Sequence, residues 1–339
     1  MRELHKKMGA MMTTRKELLD AVVAQIADYR EGEIPAMNAT HVDRWVKQFP
    51  GDTQDPLLAE LAHVFSKTYF TRKNVKQFLN AIVAHEKLTD GDPAAFWKNA
   101  GILNIQTAGN SQRDMLAVLD KALQKTCGMG LAQCGNAPVS SYVYIDDALF
   151  SGGRIKHDII KWIREAAPQK AKLHIITIAY HRLGQWRTET DIKDAIKEEG
   201  KSIELSWWRV LEIEDRKKYI DNSDVLRPTA VPADHATAQY VAGLKLDPVF
   251  RAPGQLGALG FFSSDAGRSL LEQQFLVSGV RVRALCPHLN TYMRPLGNSM
   301  MGTTGFGSMI VTYRNCPNNA PLVLWAGDPW YPLFPRKTN

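Results

Sequence analysis

The sequence predicts an α/β protein built on a doubly wound, mostly parallel sheet, with an N-terminal helical domain before it and a C-terminal α+β extension after it. Three observations carry that class. Apolar runs of strand length at 102–105, 142–145, 173–179 and 203–210 alternate with helical patterns, as a parallel sheet with crossover helices requires. Before them, apolar residues recur at helical spacing only, and after them come short apolar runs separated by proline and asparagine. The domains expected are 1–98, helical; 99–260, the α/β core; and 261–339, the extension packed on that core.

Composition sets the outer limits. A chain of 339 residues, 45% hydrophobic and 23% charged, has the make-up of a soluble protein with room for more than one structural unit. No apolar run reaches the roughly 20 residues of a membrane span, and the Met-rich start lacks the apolar centre of a signal peptide. A cytoplasmic protein with no membrane partner is therefore expected. Cys127, Cys134, Cys286 and Cys316 form no CxxC pair and have no Cys or His nearby at ligand spacing, which argues against a zinc site or a disulfide framework. The net charge of +7 suits a phosphorylated ligand or a nucleic acid without requiring either. Basic clusters at 2–7, 216–218 and 336–337 read first as solvated surface and second as nucleic-acid contacts.

The helical start has identifiable punctuation. Thr14 and Glu17 form a capping box ahead of Leu18, Val22, Ile26 and Tyr29, and Gly32 ends the pattern. Val42, Trp45, Val46 and Phe49 make a second helix, stopped by Pro50 and Gly51. Asp55-Pro56 opens a third through Leu57, Leu58, Leu61, Val64 and Phe65, and 74–88 forms a fourth through Val75, Leu79, Ile82 and Val83. Four amphipathic helices with short loops make a bundle or a helical cap, their aromatic residues serving as packing.

In the core, two strand–loop–helix units carry the chemistry. The first runs from 102–105 through Gln106-Thr-Ala-Gly-Asn-Ser-Gln112 into a helix with Met115, Val118, Leu119 and Leu123. Gly109 lets the backbone approach a ligand, and Asn110, Ser111 and Gln112 either face an anion at the helix start or simply cap it. In the second, the run 142–145 ends in Asp146 and Asp147, followed by Ala-Leu-Phe-Ser151-Gly152-Gly153-Arg154 and a helix with Ile155, Ile159 and Ile163. This strand delivers both carboxylates to the carboxyl edge of the sheet, where open α/β sheets bind ligands. The glycines let backbone N–H groups converge where the helix dipole adds positive charge, a cradle for phosphate. Carboxylates that accept from vicinal hydroxyls, beside an amide nest, select a sugar phosphate; a plain turn with a helix cap is the alternative.

The remaining elements follow in order. Strands 173–179 and 203–210 flank a helical stretch at 190–199. His181, Arg182 and Arg187 lie beyond the third strand, either toward ligand phosphates or as solvated charge. Residues 211–257 are broken by proline and glycine, a flap over the site or a linker. Ser264 and Asp265 cap a helix through Leu270, Leu271, Phe275 and Leu276. Runs 307–313 and 321–326 read as two strands joined by a turn, in which Arg314, Asn315, Asn318 and Asn319 are acceptor-contact candidates or only turn residues. The proline-rich 327–335 is expected to lay its aromatics on the core.

The segment 143–155 resembles the PRPP-binding motif of the type I phosphoribosyltransferases: four apolar residues, two acidic, two spacers, then a threonine- and glycine-rich loop. The resemblance implies that Asp146 and Asp147 are the catalytic pair holding the ribose hydroxyls, and that Ser151, Gly152, Gly153 and Arg154 hold the 5′-phosphate. It implies a pyrophosphate role for Gly109, Asn110, Ser111 and Gln112, one unit upstream. Mg²⁺ is the implied cofactor, bound through the ligand and by Asp146 or Asp147, with no other metal ligand assigned. Two positions depart from the pattern, Phe150 standing where a hydroxyl residue is usual and Arg154 replacing another.

With the helical start and the Tyr-Arg-Asn-Cys-Pro-Asn-Asn ending, the chain is similar to the phosphoribosyltransferase-like proteins of prokaryotic conflict and antiphage systems, some encoded beside retron reverse transcriptases. That branch implies a toxic effector and glycosyltransferase, held inactive by a reverse transcriptase with its DNA–RNA product and a winged-helix partner. A non-catalytic PRPP or nucleotide sensor, or an assembly subunit, is the second reading, which the two departures permit. A nucleic-acid-binding protein, whose affinity would fall steeply with salt, is the third.

Overall fold

The computed structural model describes residues 14–107, 109–136 and 139–337, which leaves the basic cluster at 2–7 outside the described residues. Contacts divide the described residues into two compact units, one of those up to 71 with those from 220 onward and one of those between 72 and 219. This partition differs from boundaries at 98 and 260, because the first three helices join the C-terminal elements and the next three join the sheet.

Along the chain, α1 (Arg15–Ile26) starts at the capping box: the Thr14 hydroxyl accepts from the Glu17 N–H at 3.3 Å and the Glu17 carboxylate from the Thr14 N–H at 2.7 Å. Next come α2 (Ala39–Val46), capped by Asn38, and α3 (Gly51–Thr68). Helix α3 begins a turn before Asp55-Pro56, so Pro56 lies inside it, removing only one backbone bond near its start. It runs into β1 (Tyr69–Phe70). The single helix expected at 74–88 is two, α4 (Arg72–Val83) and α5 (Glu86–Thr89), followed by α6 (Pro93–Asn99).

The second unit continues as β2 (Ala100–Ile102), α7 (Ser111–Cys127), β3 (Ser141–Leu149), α8 (Gly153–Glu165), β4 (Lys170–His181), α9 (Arg182–Glu198), β5 (Ser202–Trp208) and β6 (Leu211–Ile213). The order is β2-β3-β4-β5, every described pair is parallel, and β6 joins β4 past the end of β5. Consecutive strand residues point to opposite faces. On β3 the Tyr144 hydroxyl donates to Asp158 of α8 at 3.0 Å. The residue beside it, Val143, is in register with His174, whose ring meets Phe96 of α6 with centroids 5.7 Å apart. Helices therefore cover both faces. One apolar layer joins Tyr144, Leu173 and Ile175 to Ile155, Ile159 and Ile163 of α8.

The first unit is completed by α10 (His235–Ala242), α11 (Asp265–Leu285), β7 (Val311–Thr312), which pairs parallel with β1, and α12 (Leu322–Trp325). The hairpin expected from 307–313 and 321–326 does not form. Leu322, Val323, Leu324 and Trp325 make one helical turn after Pro321, all four buried. A run buried on every side has no periodicity to separate helix from strand. The tail at 327–335 lays its aromatics on the N-terminal helices of its own unit: the Phe334 ring lies 4.9 Å from Tyr29 and 5.4 Å from Phe65, and Trp330 lies 5.7 Å from Phe49.

The proline- and glycine-broken stretch is anchored over part of its length. Arg268 of α11, fully buried, donates to the carbonyls of Ser223, Val225 and Gln255 at 3.0, 2.8 and 3.2 Å. Arg251 sits in the same network through Glu272.

Candidate functional site

Strand β2 is short. Its last residue, Ile102, pairs with Val143, the Leu103 N–H donates to the Val143 carbonyl at 2.9 Å, and the chain then leaves the sheet. Asp146 thus sits just past the end of β2, beside the loop that leads into α7. The strand does not stop at the acidic pair, as the sequence suggests, because the longer β4 keeps pairing: Asp146 is in register with Thr177 and Leu149 with Tyr180.

Asp146 is 4% exposed. One carboxylate oxygen accepts from the Asp147 N–H at 2.9 Å and the other from the Gln106 amide at 3.4 Å, and the Ser111 hydroxyl also binds it. Burial first, and then the charge of Asp147, push this carboxyl up to about 7, against the pull of those hydrogen bonds and of Arg154. Asp147 is half-buried and accepts from the Ala148 N–H at 2.7 Å. The two side chains leave opposite faces of the strand, so one sugar touches both only by lying along the edge of β3 that β2 leaves open past Val143.

The four residues of the upstream loop separate into two pairs. Gly109, in the left-handed region at φ +86°, and Asn110 are exposed. Ser111 and Gln112 are buried. The Gln112 amide oxygen accepts from the N–H groups of Ile105 and Gln106 at 2.9 and 2.8 Å, its nitrogen donates to the Ile145 carbonyl at 3.3 Å, and its own N–H donates to the Gln106 side chain at 3.1 Å. Gln106 and Gln112 are a reciprocal latch fastening the loop to β3, which leaves Gln112 as a support of the site. Gln106, which also reaches Asp146, is a site residue that sequence reasoning missed; two glutamines bracketing the glycine were its only signal.

On the downstream loop, Gly152 begins α8 at φ +79° and no side chain caps the helix. The first-turn N–H groups of such a helix lack intrahelical acceptors and suit an anion. Ser151, Gly153 and Arg154 are exposed. Helix α9 supports this loop from behind: a Cβ on Gly184 would overlap the Phe150 carbonyl oxygen and one on Gly152 would overlap the Thr188 hydroxyl. Gly184→Ala, which meets unyielding backbone, is expected to cost about 1–3 kcal/mol. Urea denaturation checks this, and an unchanged midpoint would refute it.

His181 is buried, with its Nδ1 3.3 Å from the Leu149 carbonyl and its ring 5.2 Å from that of Phe150. Burial pushes its imidazole down to about 3, so it is neutral at physiological pH and is no cation for phosphate. Arg182 pairs with Glu212 at 3.0 Å, and Arg187 is exposed. Thr177, beside Asp146 on β4, is fully buried and its hydroxyl has no hydrogen-bond partner among the described residues. Thr177→Val should leave stability unchanged or raise it by up to about 1 kcal/mol, since an unsatisfied buried hydroxyl is costly; a lower denaturation midpoint would contradict this.

Arg314, Asn315, Asn318 and Asn319 belong to the first unit. The Asn315 side chain accepts from the Lys337 N–H at 3.0 Å, the Asn319 amide donates to the Asn298 carbonyl at 3.0 Å, and the Asn318 carbonyl accepts from the Asn298 N–H at 2.8 Å. These contacts hold neighbouring loops. Among the described residues no three of His, Cys, Asp and Glu group as a metal site, and no helix is long and apolar enough to cross a membrane. Asp146 and Asp147 are the carboxylates at this edge that could meet a divalent cation, one at a time because they leave opposite faces of the strand, and Mg²⁺ commonly binds through one or two carboxylates together with ligand phosphates.

A parallel sheet whose adjacent strands present a glycine loop and an acidic pair with a second glycine loop at one carboxyl edge defines a phosphoribosyltransferase-like α/β protein. Comparison with protein-family models matches the PRTase-CE family over residues 42–336, and the chain belongs to that phosphoribosyltransferase-like family. No curated protein and no solved structure is matched.

Proposed function

We propose that the protein binds PRPP, or a related ribose 5-phosphate donor, together with Mg²⁺, and transfers or releases the ribosyl phosphate. The observation that carries this reading is the meeting of the two loops beside Asp146: Nη1 of Arg154, on the downstream loop, lies 2.6 Å from where Gly109, on the upstream loop, would bear a Cβ. Asp146 and Asp147 accept from the ribose hydroxyls, and the N–H groups at the start of α8 take the 5′-phosphate. The bond between the anomeric carbon and the pyrophosphate oxygen breaks with its electron pair on oxygen. A nucleophile, water in the minimal case, bonds to that carbon and gives its proton to solvent. Mg²⁺, held by Asp146 or Asp147 with ligand oxygens, supplies charge neutralisation at the pyrophosphate.

The antiphage setting rests on the sequence resemblance. In it the protein is an effector restrained by a retron reverse transcriptase with its DNA–RNA product and a winged-helix protein. Pyrophosphate release by the wild type, and its loss in Asp146→Asn and Asp147→Asn variants that stay folded, is the expected result, together with loss of growth arrest on expression. Full activity in both variants would reject the assignment.

The departures at Phe150 and Arg154 favour a second reading, in which the pocket senses the donor without turnover. Phe150 puts an aromatic ring against buried His181 where the motif carries a hydroxyl. Calorimetric binding of PRPP with Mg²⁺, without pyrophosphate release, would select that reading.

A further inference from the structure

We infer that Arg154 serves the leaving pyrophosphate and not the 5′-phosphate, although the 5′-phosphate loop carries it; the inference rests on the donor-binding reading above. Three atoms of the guanidinium, Nη1, Cζ and Nη2, lie 2.6, 3.3 and 3.6 Å from the position of a Cβ on Gly109. The planar group therefore lies over the glycine of the upstream loop. Arg154 is in the first turn of α8, where a side chain leans back toward the helix N-terminus and so toward the sheet edge. It is exposed, and its charge reaches Asp146 and Asp158, drawing both carboxyls downward against burial.

The upstream loop needs such a cation. Gln112 commits its amide and its N–H to the latch with Gln106 and the backbone of 105 and 145, and the Ser111 hydroxyl is taken by Gln106 and Asp146, so two of the four expected cradle residues are already engaged. Arg113, in the first turn of α7, donates to the Asn110 side chain at 2.9 Å. A guanidinium offers paired donors matched to phosphate oxygens and does not lose its proton. As the bond to the anomeric carbon breaks, negative charge grows on the pyrophosphate oxygen, and Arg154 hydrogen-bonds it without proton transfer. Gly109 is then required twice, for its backbone angle and for the space the guanidinium fills.

Calorimetry with Mg²⁺, using pyrophosphate and ribose 5-phosphate as separate probes, tests the assignment on the full chain. Arg154→Gln should weaken pyrophosphate about 10- to 100-fold, the equivalent of charged hydrogen bonds, and ribose 5-phosphate less than about threefold. Arg154→Lys should fall between. Gly109→Ala, whose methyl displaces the guanidinium, should lose pyrophosphate similarly, and the double variant should be no worse than either single one, since coupled sites are not additive. Loss confined to ribose 5-phosphate, unchanged pyrophosphate binding in Arg154→Gln, or additive losses would each overturn the assignment while leaving donor binding intact. A wild-type protein that binds neither probe would overturn both.

Discussion

Glu272→Ala should lower the unfolding free energy by about 3–5 kcal/mol, the cost of stranding buried charge. Glu272 is fully buried on α11 between two buried arginines: its carboxylate accepts from Arg251 at 3.0 Å, from Arg268 at 2.8 Å and from the Arg227 N–H at 2.8 Å. Burial pushes the Glu272 carboxyl up and the Arg268 guanidinium down, each against the pull of the other. In both groups desolvation works against the attraction between them, the usual situation of a buried ion pair. Removing Glu272 is nonetheless severe, because Arg268 stays buried without its ion-pair partner and Arg251 keeps only the half-exposed Asp265, at 2.7 Å. The comparison that decides is Glu272→Gln, which removes the charge but keeps an acceptor for Arg268 and the Arg227 N–H and should cost less than Glu272→Ala. Urea midpoints measure both. Because Arg268 also holds the carbonyls of Ser223, Val225 and Gln255, Glu272→Ala should speed protease cleavage within 223–255. A Glu272→Ala variant as stable as Glu272→Gln would refute this account.

That network could not be read from the sequence. Arg268 and Glu272 stand four apart on an amphipathic helix, a spacing that describes a solvent-exposed pair equally well. The acidic motif was legible for the opposite reason: an apolar strand, two carboxylates, a glycine loop and a helix leave few arrangements, and all four parts fall in order. Residues 321–326 were misread because complete burial erases the period that distinguishes helix from strand. Gln112 looked like a ligand contact because a polar residue at a helix start is equally a cap, a latch or a binding group, and only the coordinates show its amide directed at Ile105, Gln106 and Ile145. Thr177 was silent, since threonine in a strand reads as a β-former. Local pattern thus reached the strand–loop–helix units but not the contacts made across them, which depend on strand register.

Asp146→Asn is expected to make the protein more stable at pH 8 while abolishing donor binding. A carboxyl at about 7 in the fold and near 3.9 in the unfolded chain costs the ionised native state about 4 kcal/mol at most. Between those two values the native state holds the extra proton, so stability falls as pH rises from about 4 to about 7 and stays reduced above it. The asparagine variant lacks that loss. Its advantage over wild type should vanish below about pH 4 and reach its full size, up to a few kcal/mol, by pH 8. Asn keeps one oxygen for the Asp147 N–H and can donate to the Ser111 hydroxyl, giving up only the long 3.4 Å hydrogen bond from the Gln106 amide. The same proton governs binding. If the ionised carboxylate accepts the ribose hydroxyls or meets Mg²⁺, donor affinity must rise with pH up to about 7 and level off, with proton release measurable by calorimetry in buffers of different ionisation enthalpy. On the donor-binding proposal, binding and fold stability are opposed at this residue, as expected where a charge is kept buried for chemistry. A variant less stable than wild type at pH 8, or donor binding indifferent to pH between 5 and 8, would show that Asp146 is ordinary structure.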